Sequence, residues 1–292
     1  MSFSINLLTY LQTIWQYDFM QHAFGAGTII AIVAGIVGYF VVLRRSSFAA
    51  HALSHVGFAG AAGSVLFGID PIIGLLFFTS CGGITIALLG RRAANRDVHI
   101  GTVLAFMLGL GVLFISLYKG YSTAAYSILF GEILGISSND VLVTFIASII
   151  ILFLIAITYR PLLFASLDED VAEAKGLPML KLGIIFMLLV AFATSVAVQV
   201  VGVLLIFSLM VTPAAIAHQF AKRPQQGIII SVFIALMATW TGLFISFYEP
   251  YPVSFFITSI VFILYIFVII FQRVKANLNS ITGKSYTVEL EN

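Results

Sequence analysis

His51 and His55 lie four residues apart in the stretch Ser46-Ser-Phe-Ala-Ala-His-Ala-Leu-Ser-His-Val-Gly-Phe-Ala-Gly-Ala-Ala-Gly63. Four residues is just over one helical turn, so a helix turns both imidazoles the same way. Neutral imidazole is a ligand for zinc and other transition metals. The flanking residues are apolar enough to lie in a bilayer, where an ionisable side chain is costly and marks a site or a path. Two ligands are too few for a closed structural zinc site, which takes four. An incomplete set suits an ion that must also leave. The alternative is a hydrogen-bonded histidine pair packed inside a bundle.

Covalent catalysis finds no support in the chain. His51-Ala-Leu-Ser-His55 has the spacing of a zinc protease helix, but the central Glu that would act as base is missing. No Gly-x-x-x-x-Gly-Lys-Ser/Thr phosphate loop and no Gly-x-Ser-x-Gly elbow occur. The single cysteine, Cys81, excludes an internal disulfide and a multi-cysteine metal site.

These residues need elements to hold them, and composition says which. The 292 residues are 61% apolar and 9% charged, with a mean hydropathy of +1.12. Soluble domains carry roughly 25% charged residues. The chain therefore reads as an all-α, multi-pass membrane bundle with no block large enough for a soluble ATPase head. Apolar runs of spanning length fall at 24–43, 47–68, 71–90, 100–118, 139–159, 180–200, 203–220, 227–247 and 254–271. This gives nine spans, or eight if two merge or one is re-entrant. Residues 1–18 alternate apolar and polar groups and read as an interfacial segment, with no cleaved signal peptide expected. The membrane region then covers 19–273, and 274–292 is a tail.

Charge sets the orientation. If the Arg44-Arg45 junction is cytoplasmic, thirteen of the fourteen Lys and Arg fall inside and only Lys119 falls outside. The tail is then cytoplasmic, and with nine crossings the N-terminus is outside. These basic clusters are inner-loop anchors, not a nucleic-acid surface. Asp18, Asp70, Glu132, Asp140 and Glu249 fall outside, where they attract cations or are merely tolerated.

Weaker candidates for lining a path follow from this frame. His22 lies near the outer entrance, Glu132 is the only acid in its apolar stretch, and Gln199 sits at a helix junction. His218 follows Thr212-Pro-Ala-Ala215 near the inner face, while His99 reads as interfacial. Pro213 should kink or interrupt its helix. Gly57, Gly60 and Gly63 permit close helix packing. The outer connection 119–139 is too apolar for an exposed loop and reads as a short helix or re-entrant segment. The inner connection, Arg160 to Lys181, holds one short helix over about 166–178, started by acids and stopped by Gly176 and Pro178. Such a helix either docks a soluble partner or only links two spans.

Four blocks, in order, resemble the membrane permease subunits of the metal-ion ABC importers, the zinc, manganese and iron family. They are Leu43-Arg-Arg-Ser-Ser-Phe-Ala-Ala-His-Ala-Leu-Ser-His55, Ile128-Leu-Phe-Gly-Glu-Ile-Leu134, Asp168 to Pro178, and Gln199-Val-Val-Gly-Val-Leu-Leu205 running into Leu209-Met-Val-Thr-Pro-Ala-Ala215. The resemblance implies a type II importer-like fold in a prokaryotic cytoplasmic membrane. It also implies a pairing with a second copy of the chain, ATPase subunits beneath that bind the ATP, and an extracytoplasmic metal-binding protein above. No cofactor is expected on this chain. The inner helix becomes the coupling helix, with Asp168, Glu169, Asp170, Glu173 and Gly176 at the ATPase. His51 and His55 become a transient metal site; many members carry an aspartate at the position of His51. Exchanging carboxylate for imidazole leans the cargo toward Zn2+ over Mn2+, with Fe2+ left as an alternative. A permease for a metal chelate or vitamin, and a stand-alone secondary metal transporter, are the competing readings.

Overall fold

The computed structural model describes residues 13–90, 96–118, 131 and 133–288, with side chains described as far as 275. Among these residues every regular element is helical. In chain order they are α1 (Asp18–Leu43), α2 (Ser47–Phe67), α3 (Pro71–Leu89), α4 (Arg96–Leu117), α5 (Ser138–Leu167), α6 (Glu169–Ala174), α7 (Met179–Val201), α8 (Val203–Phe220), α9 (Pro224–Tyr248) and α10 (Val253–Val288). A single 3-10 turn, Ile133–Gly135, precedes α5.

Eight of these helices are long and apolar enough to cross a membrane. The remaining long one is α2, with 21 residues. Two histidines and three serines dilute its hydropathy, so length rather than composition marks it as a span. The nine long helices occupy the nine apolar runs. The protein is a multi-pass, all-helical membrane bundle.

Burial divides the helices by place. α1, α2 and α7 are the most enclosed of the long helices, while α4 turns most of its surface outward. Outward residues such as Phe106, Phe153 and Phe267 are large and apolar. Lipid takes the place of water around them, so their exposure carries no penalty. α1 packs on α5, α7, α8 and α9, whereas α2 packs on α3, α4, α7 and α8. The two helices that meet at Arg44-Arg45 thus share α7 and α8 but otherwise pack on different partners.

Four boundaries differ from the sequence reading. α5 does not stop at residue 159; it runs through Arg160 and Pro161 to Leu167. Proline in a helix interior costs about 3 kcal/mol. The buried side chains of Leu162 and Ala165 continue the packed face beyond it. The inner helix is correspondingly shorter than expected, with only Glu169–Ala174 helical. Pro213 lies within a continuous α8 and does not interrupt it. The break between α7 and α8 falls at Gly202, between the runs 180–200 and 203–220 read from the sequence, and its φ of 82° and ψ of 165° suit glycine alone. That residue turns the chain from α7 into α8 at the outer face. Finally, α10 runs past residue 271 to Val288 because no proline stops it, so much of the expected tail is helical.

The expected interfacial segment lies mostly outside the described residues, as do most of the 119–139 connection and Glu132. Two outer acids have structural work. Asp70 accepts a hydrogen bond from the Ile72 N–H and caps α3. Asp140 closes a reciprocal capping box with Ser137 at the start of α5.

Candidate metal-transit site

α2 begins at the inner turn Arg44–Ser46 and climbs toward the outer face. Glycine spacing brings its neighbours close. A Cβ on Gly60 would overlap the Gly74 carbonyl of α3, and a Cβ on Gly74 would overlap that of Gly60. The two backbones therefore touch. Ala59 similarly meets Gly111 of α4. Small residues here replace side-chain interdigitation with backbone contact. Behind this contact, Thr79 of α3 and Ser195 of α7 share a buried hydrogen bond of 2.7 Å.

His51 and His55 stack edge to face, with ring centroids 4.7 Å apart and planes at 81°. Both are half-buried. The helical spacing thus delivers the common orientation expected of it. Phe207 of α8 presses on the other side of His51, at 4.7 Å and 65°. Nδ1 of His51 is buried and has no hydrogen-bond partner among the described residues. An unpaired buried ring nitrogen is costly unless something else binds it. Ser54, lying between the histidines, is already committed: its hydroxyl donates to the Ala50 carbonyl at 3.1 Å. The pair can offer two imidazole nitrogens to a cation, with an aromatic edge limiting access from α8. No cluster of three or more His, Cys, Asp or Glu occurs among the described residues. Within this chain the described donor set is therefore the pair.

The weaker candidates are not brought to this point. By helical rise, His22 lies about 20 Å further toward the outer face than His55. His22 is half-buried near the start of α1, and Gln199 is half-buried at the outer end of α7. His218 stacks on Tyr39 at 4.5 Å with nearly parallel rings, and its Nε2 lies 3.3 Å from the Tyr39 carbonyl oxygen. That contact ties α8 to α1 at the inner face. Phe207 escaped the sequence reading, because one aromatic among aliphatics carries no signal of its own.

The inner segment 168–177 is a capped projection. Asp168 accepts the Val171 N–H at 3.0 Å. Glu169, Asp170 and Glu173 are exposed, and Ala172 alone is buried against the bundle. At the far end the Leu177 N–H donates to the Ala172 carbonyl and the Gly176 N–H to the Glu173 carbonyl. Gly176 has φ 82°. This is a Schellman stop with glycine in the left-handed position. The residues named for partner contact are thus presented together on one small, rigid step.

Known proteins place these features in a family. The ABC 3 transport family matches residues 16–272. The manganese transport system membrane protein MntC of Listeria monocytogenes is 32% identical over 241 residues, covering 82% of this chain and 86% of that protein. The high-affinity zinc uptake system membrane protein ZnuB of Buchnera aphidicola is 30% identical over 233 residues, covering 78% and 88%. Among solved structures, PsaBC from Streptococcus pneumoniae, in complex with Fab, superposes with a TM-score of 0.80 at 31% identity, covering 90% of this chain and 95% of that one. The matched region contains both the histidine helix and the 168–177 step. The chain belongs to the ABC 3 transport family, as the membrane permease of a metal-ion importer whose ATPase is a separate subunit.

Proposed function

We propose that this permease imports zinc across a prokaryotic cytoplasmic membrane, with His51 and His55 holding the ion in transit. The observation that carries the reading is the buried, unpaired Nδ1 of His51 beside a second imidazole. A bound cation would satisfy that nitrogen. Two protein ligands hold an ion weakly enough to release it, and water or another helix completes its shell. Imidazole suits zinc better than the carboxylate-preferring manganese.

The assembly is a pair of permeases above two ATPases, with an extracytoplasmic binding protein delivering the metal. ATP binding moves the 168–177 step, and the helices around α2 shift to open the pair to alternate sides. Asp168, Glu169, Asp170, Glu173 and Gly176 form the face that meets the ATPase. A second reading, manganese as cargo, draws on the manganese system named for the Listeria relative.

The test is uptake into proteoliposomes holding the permease, its ATPase and its binding protein, with zinc and manganese compared. Zinc uptake should exceed manganese uptake. His51→Asp should narrow or reverse that ratio, because it restores a hard oxygen ligand. Preferred manganese uptake by the unaltered protein would overturn zinc and leave the transit site to be judged by its alanine variants.

A further inference from the structure

At the inner face a cavity of about 510 Å³ opens beneath the bundle. Arg44, Arg96, Ser166, Glu169, Glu173 and Phe186 line it. They come from five places: the α1–α2 turn, the start of α4, the end of α5, α6, and α7. Neither the fold nor the transit site requires such a gathering of charge.

Its centre is Arg44. Nη1 of Arg44 reaches Ser166 Oγ at 3.5 Å, two residues before the 168–177 step. The guanidinium lies 4.9 Å over the Phe186 ring of α7. Burial pushes this guanidinium below its ordinary range; Glu169 opposes that shift and Arg96 adds to it. Glu169 is thus the countercharge that favours a cation here, and it belongs to the step itself.

The other side of Arg44 leads to α2. The Ser46 hydroxyl donates to the Arg44 carbonyl at 3.1 Å. Arg96 donates to the same Ser46 oxygen at 2.8 Å. Ser46 is 3% exposed and is the residue from which α2 starts. His51 follows a little over one turn later. The turn between has no slack. The Ser46 N–H donates to the Val41 carbonyl and the Arg45 N–H to the Val42 carbonyl. This is the same Schellman closure seen at Gly176, but with Arg45 in the left-handed position at φ 52°. Glycine or asparagine normally takes that place. A turn held in a disfavoured conformation is held by its surroundings.

We infer that Arg44 is a positioning residue that transmits movement of the 168–177 step to the helix bearing His51 and His55. This rests on the reading that those histidines hold the metal and that the step meets the ATPase. The link is short and made of named contacts: step, Ser166 and Glu169, Arg44, Ser46, α2. A planar guanidinium suits it because it can stack on Phe186 while donating sideways to Ser166. Lysine carries the charge but has neither the fork nor the flat face.

The experiment measures metal uptake and ATP hydrolysis together in proteoliposomes holding the complete transporter. Arg44→Ala should lower the ions moved per ATP by about tenfold, the scale on which a residue along such a network changes coupling. Hydrolysis itself should stay close to that of the unaltered protein. Arg44→Lys should fall between the two. Ser166→Ala removes one acceptor without changing charge, and should give a smaller loss in the same ratio. A parallel fall of uptake and hydrolysis across the series, or an unchanged ratio, overturns the inference. If Arg44→Ala does not assemble, the ratio for Ser166→Ala decides. Failure of the underlying reading looks different: the unaltered complex would show no ATP-dependent uptake, or loss of both histidines would leave uptake intact.

Discussion

α2 and the 168–177 step carry the two groups of polar residues singled out for function, yet they are built in opposite ways. α2 is defined by what it excludes. Its glycines and alanines press against α3 and α4 until backbone meets backbone, and its two imidazoles are left in a tight space. The step is defined by what it exposes. Its carboxylates are exposed, and it is shaped by a cap and a stop rather than by packing. The first should tolerate no added volume and depend on side-chain chemistry. The second should tolerate volume and depend on conformation and charge.

The sharpest test of that contrast removes chemistry without adding volume. Replacing His51 and His55 together by alanine should reduce metal uptake to background while the permease still co-purifies with its ATPase. Normal uptake by the double variant would sink the transit site. Next in size is a change of volume alone. Gly60→Val places three carbons where the Gly74 carbonyl already lies. Overpacking typically costs about 1–3 kcal/mol, and more where backbone is the obstacle. A clearly lower melting temperature in detergent is expected. Gly183→Val provides the control, since no atom lies within 4 Å of a Cβ built there; its melting temperature should hardly move. Equal stability of the two variants would mean that α2 and α3 do not meet as closely as described.

How much of this was legible in the sequence depends on the kind of feature. The nine runs were readable because a span is a matter of length and apolarity, and each run became one long helix. Where helices end was less so. Pro213 read as a break yet lies inside a continuous helix, and Pro161 lies inside an α5 that continues past the end of the run 139–159. A single missing hydrogen bond was outweighed by buried neighbours such as Leu162 and Leu209. Gly202 falls between two of the runs, so the corner was legible, but nothing in the sequence states its φ. The histidine pair was legible because spacing alone fixes a shared helix face. Phe207 and the contacts of Arg44 were not, because they depend on which distant helices meet. Arg44 read only as an inner anchor of the positive-inside pattern.

On the step, conformation should matter more than size. Gly176 has open space where a Cβ would go, but its φ is 82°. Gly176→Ala therefore adds no clash and pays only for a left-handed backbone, roughly 1–2 kcal/mol. That is too little to unfold a bundle of this size, yet it acts directly on the stop that orients Leu177. Uptake should fall several times less than for the double histidine variant, with the melting temperature nearly unchanged. If the melting temperature falls as far as for Gly60→Val, the step is part of the packed bundle and the contrast with α2 fails.

The smallest effect separates cap from charge at one residue. Asp168 holds the Val171 N–H and also contributes a carboxylate to the exposed face. Asparagine caps about as well as aspartate, whereas alanine loses about 1 kcal/mol of capping. If the step works through its shape alone, Asp168→Asn should behave like the unaltered protein and Asp168→Ala should not. If it works through charge at the ATPase, Asn and Ala should weaken ATPase affinity alike, and that loss should shrink as salt is raised. Hydrolysis measured over a salt series, with both variants side by side, separates these outcomes. The proposed role of Glu169 and Glu173 as further partner contacts favours charge, so both variants should show the salt-sensitive loss, with the alanine variant slightly the worse of the two. That residual gap between them is the share owed to the cap.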